Sequence, residues 1–411
     1  LPIAFVLCEV KKREDKTREN CPMRILPFDY AIRNLGRSPL RLAMSVVGSM
    51  LVVMLMIAAT AFVRGMEKSL ADSGSDRNVI LLGAGSEESI ERSEIKASVP
   101  TQAAASLRGV RSTLGQTFIS SEIHMALTVG TTRDEQSKAQ VVVRGVDLPA
   151  FLVHPQVRIT QGRSMNPGAN EIIVGKLAAT RLGMDDAQLA LGKTIWFDDI
   201  QWTIVGRFTA PNTVMDAEIW VPLNDLKVSA KRDTISCAVL TLDDDGEFED
   251  VAAFVASRVD LELVAVRESE YYAKLVAFYR PVRVMIWVTV ALIALGGILG
   301  GLNTMYAAFA ARVREVGMLQ SLGFARRAII LSFMQEAALA SMAGALIAAA
   351  ASLVLLDGVA IRFSMGAFGL QLDAIALAIG LLTGMTLGVI GALPPAVRCL
   401  RLPITEALKA A

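Results

Sequence analysis

Histidine and cysteine are both scarce in this 411-residue chain, which holds two of the first and four of the second. Neither His124 nor His154 has a cysteine or a second histidine at ligand spacing along the sequence, so zinc is not expected and no metal ligand is assigned. Cys8, Cys21 and Cys399 fall near the two ends, and only Cys237 lies in the long central stretch. A central domain with one cysteine closes no disulfide within itself, so a packed core has to hold it together. Catalytic patterns are missing too. The serines show no nucleophile elbow. The segment AQLALGKT at 187–194 ends like a phosphate-binding loop, but Ala187 stands where the first glycine belongs, the interior is apolar and a hairpin pattern follows. With no Walker motif and no segment long enough to hold one, the chain reads as non-enzymatic and without a cofactor of its own.

Charge is sparse as well: 20% of residues are charged and 53% are hydrophobic. What takes its place is four long apolar stretches, at 42–63, 284–311, 328–356 and 374–397, in which Glu336 is the one charged residue. About 20 apolar residues suffice for a helix to cross a hydrocarbon layer of roughly 30 Å. The first stretch is separated from the second by the mostly polar span 65–279. The expected fold class is therefore an integral membrane α-helical protein with four transmembrane helices and a large α+β extracytoplasmic domain inserted between the first and second spans. That domain carries 21 lysines and arginines against 30 aspartates and glutamates. An acidic surface argues against nucleic acid as a partner.

Basic residues set the orientation. Arg312, Arg314, Arg326 and Arg327 occupy the loop between the second and third spans, whereas the loop between the third and fourth has Arg362 alone. The first loop belongs in the cytoplasm, and Arg33, Arg37, Arg41, Arg398, Arg401 and Lys409 place both ends there with it. Arg64, Lys68, Arg280 and Arg283 lie on the outer side, where long exported domains tolerate them. The segments expected are a tail at 1–22, either a misassigned start ahead of Met23 or disordered, then a cytoplasmic segment at 23–41. The first span follows at 42–64, the outer domain at 65–279 and the second span at 280–311. A cytoplasmic loop at 312–327, the third span at 328–356, a short outer loop at 357–373, the fourth span at 374–397 and a tail at 398–411 complete the chain. Residues 27–41 read either as an amphipathic helix on the inner membrane face or as a simple cap on the first span.

In the outer domain, NVILL at 78–82 and CAVLTL at 237–242 read as buried strands. Helical patterns follow at 100–108 and 247–258, and a further apolar run at 261–266. These suggest a βαβ unit at each end. Between them, about 116–224 reads as a β-rich insertion with strands at 141–147, 171–175, 193–197 and 202–208, so that the domain holds two subdomains. Residues 268–283 return the chain to the membrane as a helix.

Small residues recur every fourth position in the spans: Gly296, Gly297, Gly300 and Gly301 in the second, Ala340, Gly344 and Ala348 in the third, and Gly380, Gly384 and Gly388 in the fourth. Such rows let helices approach closely in lipid, either within the four-helix set or against a second copy. Glu336 either pairs with an arginine such as Arg327, reaches the headgroups, or marks function inside the membrane. In the loop, a short helix bounded by Gly317 and Gly323 would present Met318, Leu319 and Leu322 as an apolar patch with Arg314 and Glu315 at its rim. That is the make-up of a docking site, or of a segment that packs under the spans.

The loop reads ARVREVGMLQSLGFARRAIILSFMQEA over 311–337 and resembles that of FtsX-like, MacB-type ABC transporter permeases. It shows their E-I/V-G triplet at Glu315–Gly317, their A/S-L-G helix end at Ser321–Gly323 and their glutamate in the following span. AIRNLGRSPLR at 31–41 resembles the entry pattern of the family, and PPAVRCLRLPITEALKA at 394–410 its ending, with Cys399 and Lys409 as departures. RGVDLP at 144–149, ITQGRSMNPGANEIIVGKLAATRLG at 159–183 and LGKTIWFDDIQWTIVGRF at 191–208 are similar to the MacB-type periplasmic core domain. The resemblance runs from about 28 to 410, with the FtsX-like permease domain at about 284–410.

It implies a multi-pass subunit of the bacterial inner membrane, with its large domain in the periplasm and ATP and Mg held on a separate cytoplasmic ABC ATPase. It also implies a second permease copy or paralogue, and it leaves room for a periplasmic adaptor and membrane lipid as partners. The implied role is mechanotransmission that drives export or extraction of a substrate. The alternative is a signalling complex that activates a periplasmic hydrolase or relays a stimulus.

Overall fold

The computed structural model describes residues 28–35, 37–133, 139–364 and 366–400. The tail expected at 1–22 and most of the closing motif after Leu400 lie outside the described residues. The described residues open on α1 (Phe28–Leu35) and α2 (Pro39–Ala71), followed by β1 (Asn78–Gly83) and α3 (Val99–Ser106). Eight strands come next: β2 (Ile119–Val129), β3 (Ala139–Val146), β4 (Arg158–Gly162), β5 (Glu171–Gly175), β6 (Thr194–Phe197), β7 (Ile200–Thr209), β8 (Ile219–Pro222) and β9 (Cys237–Thr241). Then come α4 (Phe248–Ser257), β10 (Leu263–Arg267), α5 (Glu268–Phe278), α6 (Arg280–Ala310), α7 (Val313–Ser321) and α8 (Arg326–Leu355). A hairpin of β11 (Ala360–Phe363) and β12 (Gly366–Gly369) precedes α9 (Ala374–Cys399).

Two compact units divide these elements: one of residues 1–60, 286–355 and 372–411, the other of 61–285 and 356–371. The second is built on a ten-stranded sheet in the order β10-β1-β9-β2-β3-β8-β5-β7-β4, with β6 paired to β7. Strand β1 lies antiparallel to both β9 and β10, and β9 antiparallel to β2. Hence β1-α3-β2 and β9-α4-β10 are two split βαβ units that interleave, the ferredoxin-like arrangement. Side chains alternate across the sheet. Val79 and Leu81 enter one core with Ile123, Leu240 and Phe254, while Ile80 and Leu82 enter another with Val239, Tyr271 and Tyr272. Burial on both faces is why β1 is apolar at nearly every position.

The β-rich stretch expected at 116–224 is joined to the end unit by β2. Its eleven residues pair with β9 over 119–122 and with β3 over 122–129, so the end unit and the middle strands share one continuous sheet. The expected outer loop at 357–373 contains the β11–β12 hairpin, whose Phe368 is buried and packs edge-on against Phe62.

The first unit is helical. Four helices, Pro39–Ala71, Arg280–Ala310, Arg326–Leu355 and Ala374–Arg398, are long and apolar enough to cross a membrane. Asp373 starts the last by accepting a hydrogen bond from the Ala376 amide at 2.9 Å. The glycines of α9 pack within the chain. A Cβ at Gly380 would run into Ile57, at Gly384 would stand 2.5 Å from Ala345, and at Gly388 would run into Ser341 Oγ. Gly344 of α8 is closed in the same way by Ser49 and the Val46 carbonyl. The row on α6 differs, since Gly297 meets Val52 while Gly296, Gly300 and Gly301 have nothing within 4 Å.

Candidate functional site

Between α6 and α8 the chain forms α7, nine residues long. Gly317 lies inside this helix and is buried, so the expectation that it bounds the helix is corrected: the helix begins at Val313. Gly323 does bound it. At φ +87° it is left-handed, and its amide bonds to the Gln320 carbonyl at 3.1 Å while that of Phe324 bonds to Leu319 at 3.2 Å, a Schellman ending.

The patch is also smaller than expected. Met318 is 53% and Leu322 60% exposed, but Leu319 packs inward against a cluster of Phe309, Val316, Ile329, Phe333, Ala396 and Leu400. With 100° between successive residues, 318 and 322 share a face that 319 leaves. Arg314 is exposed, and Glu315 pairs with Arg37 at 3.1 Å. Val316, read in the sequence only as the middle of the Glu315–Gly317 triplet, is buried and fixes α7 to the cluster.

Glu336 is paired, though not with Arg327. It accepts from Arg41 Nη2 at 2.7 Å, Arg312 Nη1 at 2.9 Å and Asn34 Nδ2 at 2.8 Å. Arg327 is nine residues earlier on the same helix, which turns it to about the opposite face. One carboxylate thus gathers α1, the start of α2, the residue before α7, and α8.

A second polar constellation lies buried in the sheet unit, and the sequence reading missed it. Glu122 and His124 are two apart on β2 and share a face. Cys237 of β9 stands opposite Glu122, and Arg144 of β3 opposite His124. Glu122 accepts from Arg144 Nη1 at 2.9 Å and lies 2.8 Å from His154 Nε2 and 3.0 Å from His124 Nε2. Arg144 also clasps Glu218 with two bonds of 2.7 Å, and Trp220 Nε1 donates to the same carboxylate at 2.9 Å. Glu268 accepts from Asn78 Nδ2 at 2.9 Å and faces His154 Nδ1 at 3.9 Å.

All of these groups are buried, and the electrostatics follow from that. Burial alone would raise the Glu122 carboxyl, but His154 and Arg144 outweigh it and hold it well below the usual range. Burial likewise opposes the Glu218 charge, and Arg144 overcomes it, so this carboxyl too is lowered. Glu268, with weaker partners, is raised by burial. Burial also pushes the Cys237 thiol well up. Glu122, His124 and Cys237 bring a carboxylate oxygen, an imidazole nitrogen and a sulfur within 4.8 Å of one another, a donor set that sequence spacing conceals. Beside it lies a cavity of about 230 Å³, polar where His124, Arg144 and Glu218 line it and apolar at Met66, Leu70 and Phe368. The legible signal was an arginine inside the apolar run VVVRGV, which requires buried acids nearby.

Among the described residues, four helices are of membrane-spanning length, and they accompany a large sheet domain and the short helix α7. Residues 42–258 match the MacB-like periplasmic core domain and residues 287–404 the FtsX-like permease C-terminal domain. The chain belongs to the MacB/FtsX-like family of ABC transporter permeases. No curated protein matches it.

Among solved structures, it is similar to the extracellular domain of the noncanonic ABC-type transporter YknZ from Gram-positive bacteria. That match has 15% identity and a TM-score of 0.35, covering 46% of this chain and 97% of that one. The periplasmic region of MacB from Actinobacillus actinomycetemcomitans matches at 10% identity and TM-score 0.38, over 49% of this chain and 94% of the other. A domain of a putative permease protein from Porphyromonas gingivalis matches at 17% identity and TM-score 0.33, over 46% and 88%.

Proposed function

We propose that this chain couples ATP hydrolysis by a separate cytoplasmic ABC ATPase to movement of its extracytoplasmic domain in the bacterial inner membrane, and so drives export or extraction of a substrate. Family membership supports the permease role and the ATPase partner. The observation that carries the coupling is α7: exposed Met318 and Leu322, with Arg314 beside them, on a helix whose other face is anchored through Val316 and Leu319. A rigid helix with an apolar outer face and charged edges is suited to receiving push or pull from a partner. Its motion would pass to α8 and α2 through the Glu336 ion pairs. The functional unit on this reading is a pair of permeases with two ATPases, and the open glycine row on α6 suits a second copy or paralogue. A periplasmic adaptor would complete an export route.

Capture of the ATPase tests this. Met318→Asp and Leu322→Asp place a charge on an exposed face, so the fold should hold. Each should lower ATPase capture and permease-stimulated turnover by about tenfold or more, as expected for interface anchors worth about 2 kcal/mol. Full capture and stimulation in both variants would refute the docking role of α7.

A further inference from the structure

We propose that Glu122, His124 and Cys237 form a binding site for a zinc-type transition-metal ion in the sheet unit. The three come from adjacent strands in fixed register: Glu122 and His124 from one face of β2, and Cys237 directly across from Glu122 on β9. Their donor atoms lie within 4.8 Å of one another, and all three residues are buried. Zinc held at about 2.3 Å from sulfur and about 2.0–2.1 Å from nitrogen and oxygen separates its ligand atoms by roughly 3.3–3.7 Å, so small side-chain rotations complete the set.

Glu122 and Glu218 are buried against Arg144, and Glu268 faces His154. The surroundings supply outer-shell support. His154 Nε2 fixes the far oxygen of Glu122 at 2.8 Å, and Arg144 Nη1 bonds the near one at 2.9 Å. His124 also lines the cavity of about 230 Å³, which leaves room for water or a small exogenous ligand as a fourth ligand.

The test uses the full chain in lipid nanodiscs, in a background with Cys8, Cys21 and Cys399 replaced by alanine, so that Cys237 is the one thiol. After chelation the protein is titrated with Co²⁺ and then with Zn²⁺. The site should give a thiolate-to-cobalt charge-transfer band in the near ultraviolet at one cobalt per chain, abolished by zinc. Cys237→Ser, nearly isosteric, should remove the band and weaken zinc binding by more than about 100-fold. His154→Gln should weaken it by about 10- to 100-fold while the band remains. Thermal unfolding of the metal-free variants reports whether each is folded, and His124→Gln supplies a second ligand variant if Cys237→Ser is not. No thiolate band in the parent, or zinc affinity unchanged in the folded ligand variants, overturns the site and leaves the cluster an ion-pair network alone.

Discussion

Asp147 shows how a single carboxyl makes this domain sensitive to pH. It accepts from the Ser121 amide at 3.1 Å and from Ser120 at 3.4 Å, yet burial, reinforced by the Glu122 charge, raises it from 3.8 to about 6. The folded state thus binds a proton that the unfolded state has already released. Its contribution is full below pH 4 and is lost as pH rises through about 6, by at most about 3 kcal/mol and less where solvent reaches this half-buried group. Asp147→Asn should therefore match the parent near pH 4 and exceed it in stability near pH 7. Denaturant titrations at both pH values measure this, and an unchanged difference between them would contradict it. Glu336 is held instead by ion pairs, since two arginines converge on it. Glu336→Gln keeps the Asn34 bond in reach but strands Arg41 and Arg312, at a cost of about 3 kcal/mol. Glu336→Gln combined with Arg312→Gln should cost less than the sum of the two single changes in thermal melts, because the second change removes a charge the first left unpaired. Strict additivity would mean the two do not act as a pair.

At the scale of elements, the glycine rows divide into two uses. Gly384→Leu would drive a side chain into Ala345 and Val53 and should lower the melting temperature by several degrees or prevent assembly of the helices. Gly301→Leu enters open space and should leave the monomer folded while reducing cross-linking between copies. Equal damage from both would assign the α6 row to packing within one chain. The spans were legible in the sequence because lipid imposes a long apolar run, and β1, β5 and β9 because a strand buried on both faces is apolar throughout. Strand β2 was not legible. Ser120, Glu122 and His124 interrupt its pattern, yet they are buried, satisfied by Asp147, Arg144, His154 and Ser236, which no local window contains. The loop helix was legible in position, but which of Met318, Leu319 and Leu322 faces outward depended on where Val313 starts the helix. The partners of Glu336 were hidden for the same reason as the β2 cluster, because they come from α1, α2 and the residue before α7.

For the whole molecule, the central claim is that energy released on a partner ATPase appears as movement of the extracytoplasmic domain. The sheet unit is suited to move as one body, because its ten strands form a single continuous ladder and its core is closely packed. Met66 and Leu70 at the end of α2 are buried in the same core as Ile80 and Tyr271, so a shift of that helix end acts on the sheet directly. Leu148 is 76% exposed, so a label at that position should leave the core undisturbed, and with Cys8, Cys21 and Cys399 replaced by alanine the remaining native thiol, Cys237, is buried away from the reagent. The decisive measurement is the distance between Leu148→Cys labels on the two copies of the reconstituted permease–ATPase complex, by pulsed electron resonance, without nucleotide and with the ATPase trapped after hydrolysis. The account predicts that the distance distribution shifts between the two states, and that Leu322→Asp abolishes the shift. Identical distributions in a complex that turns over ATP at the normal rate would contradict it.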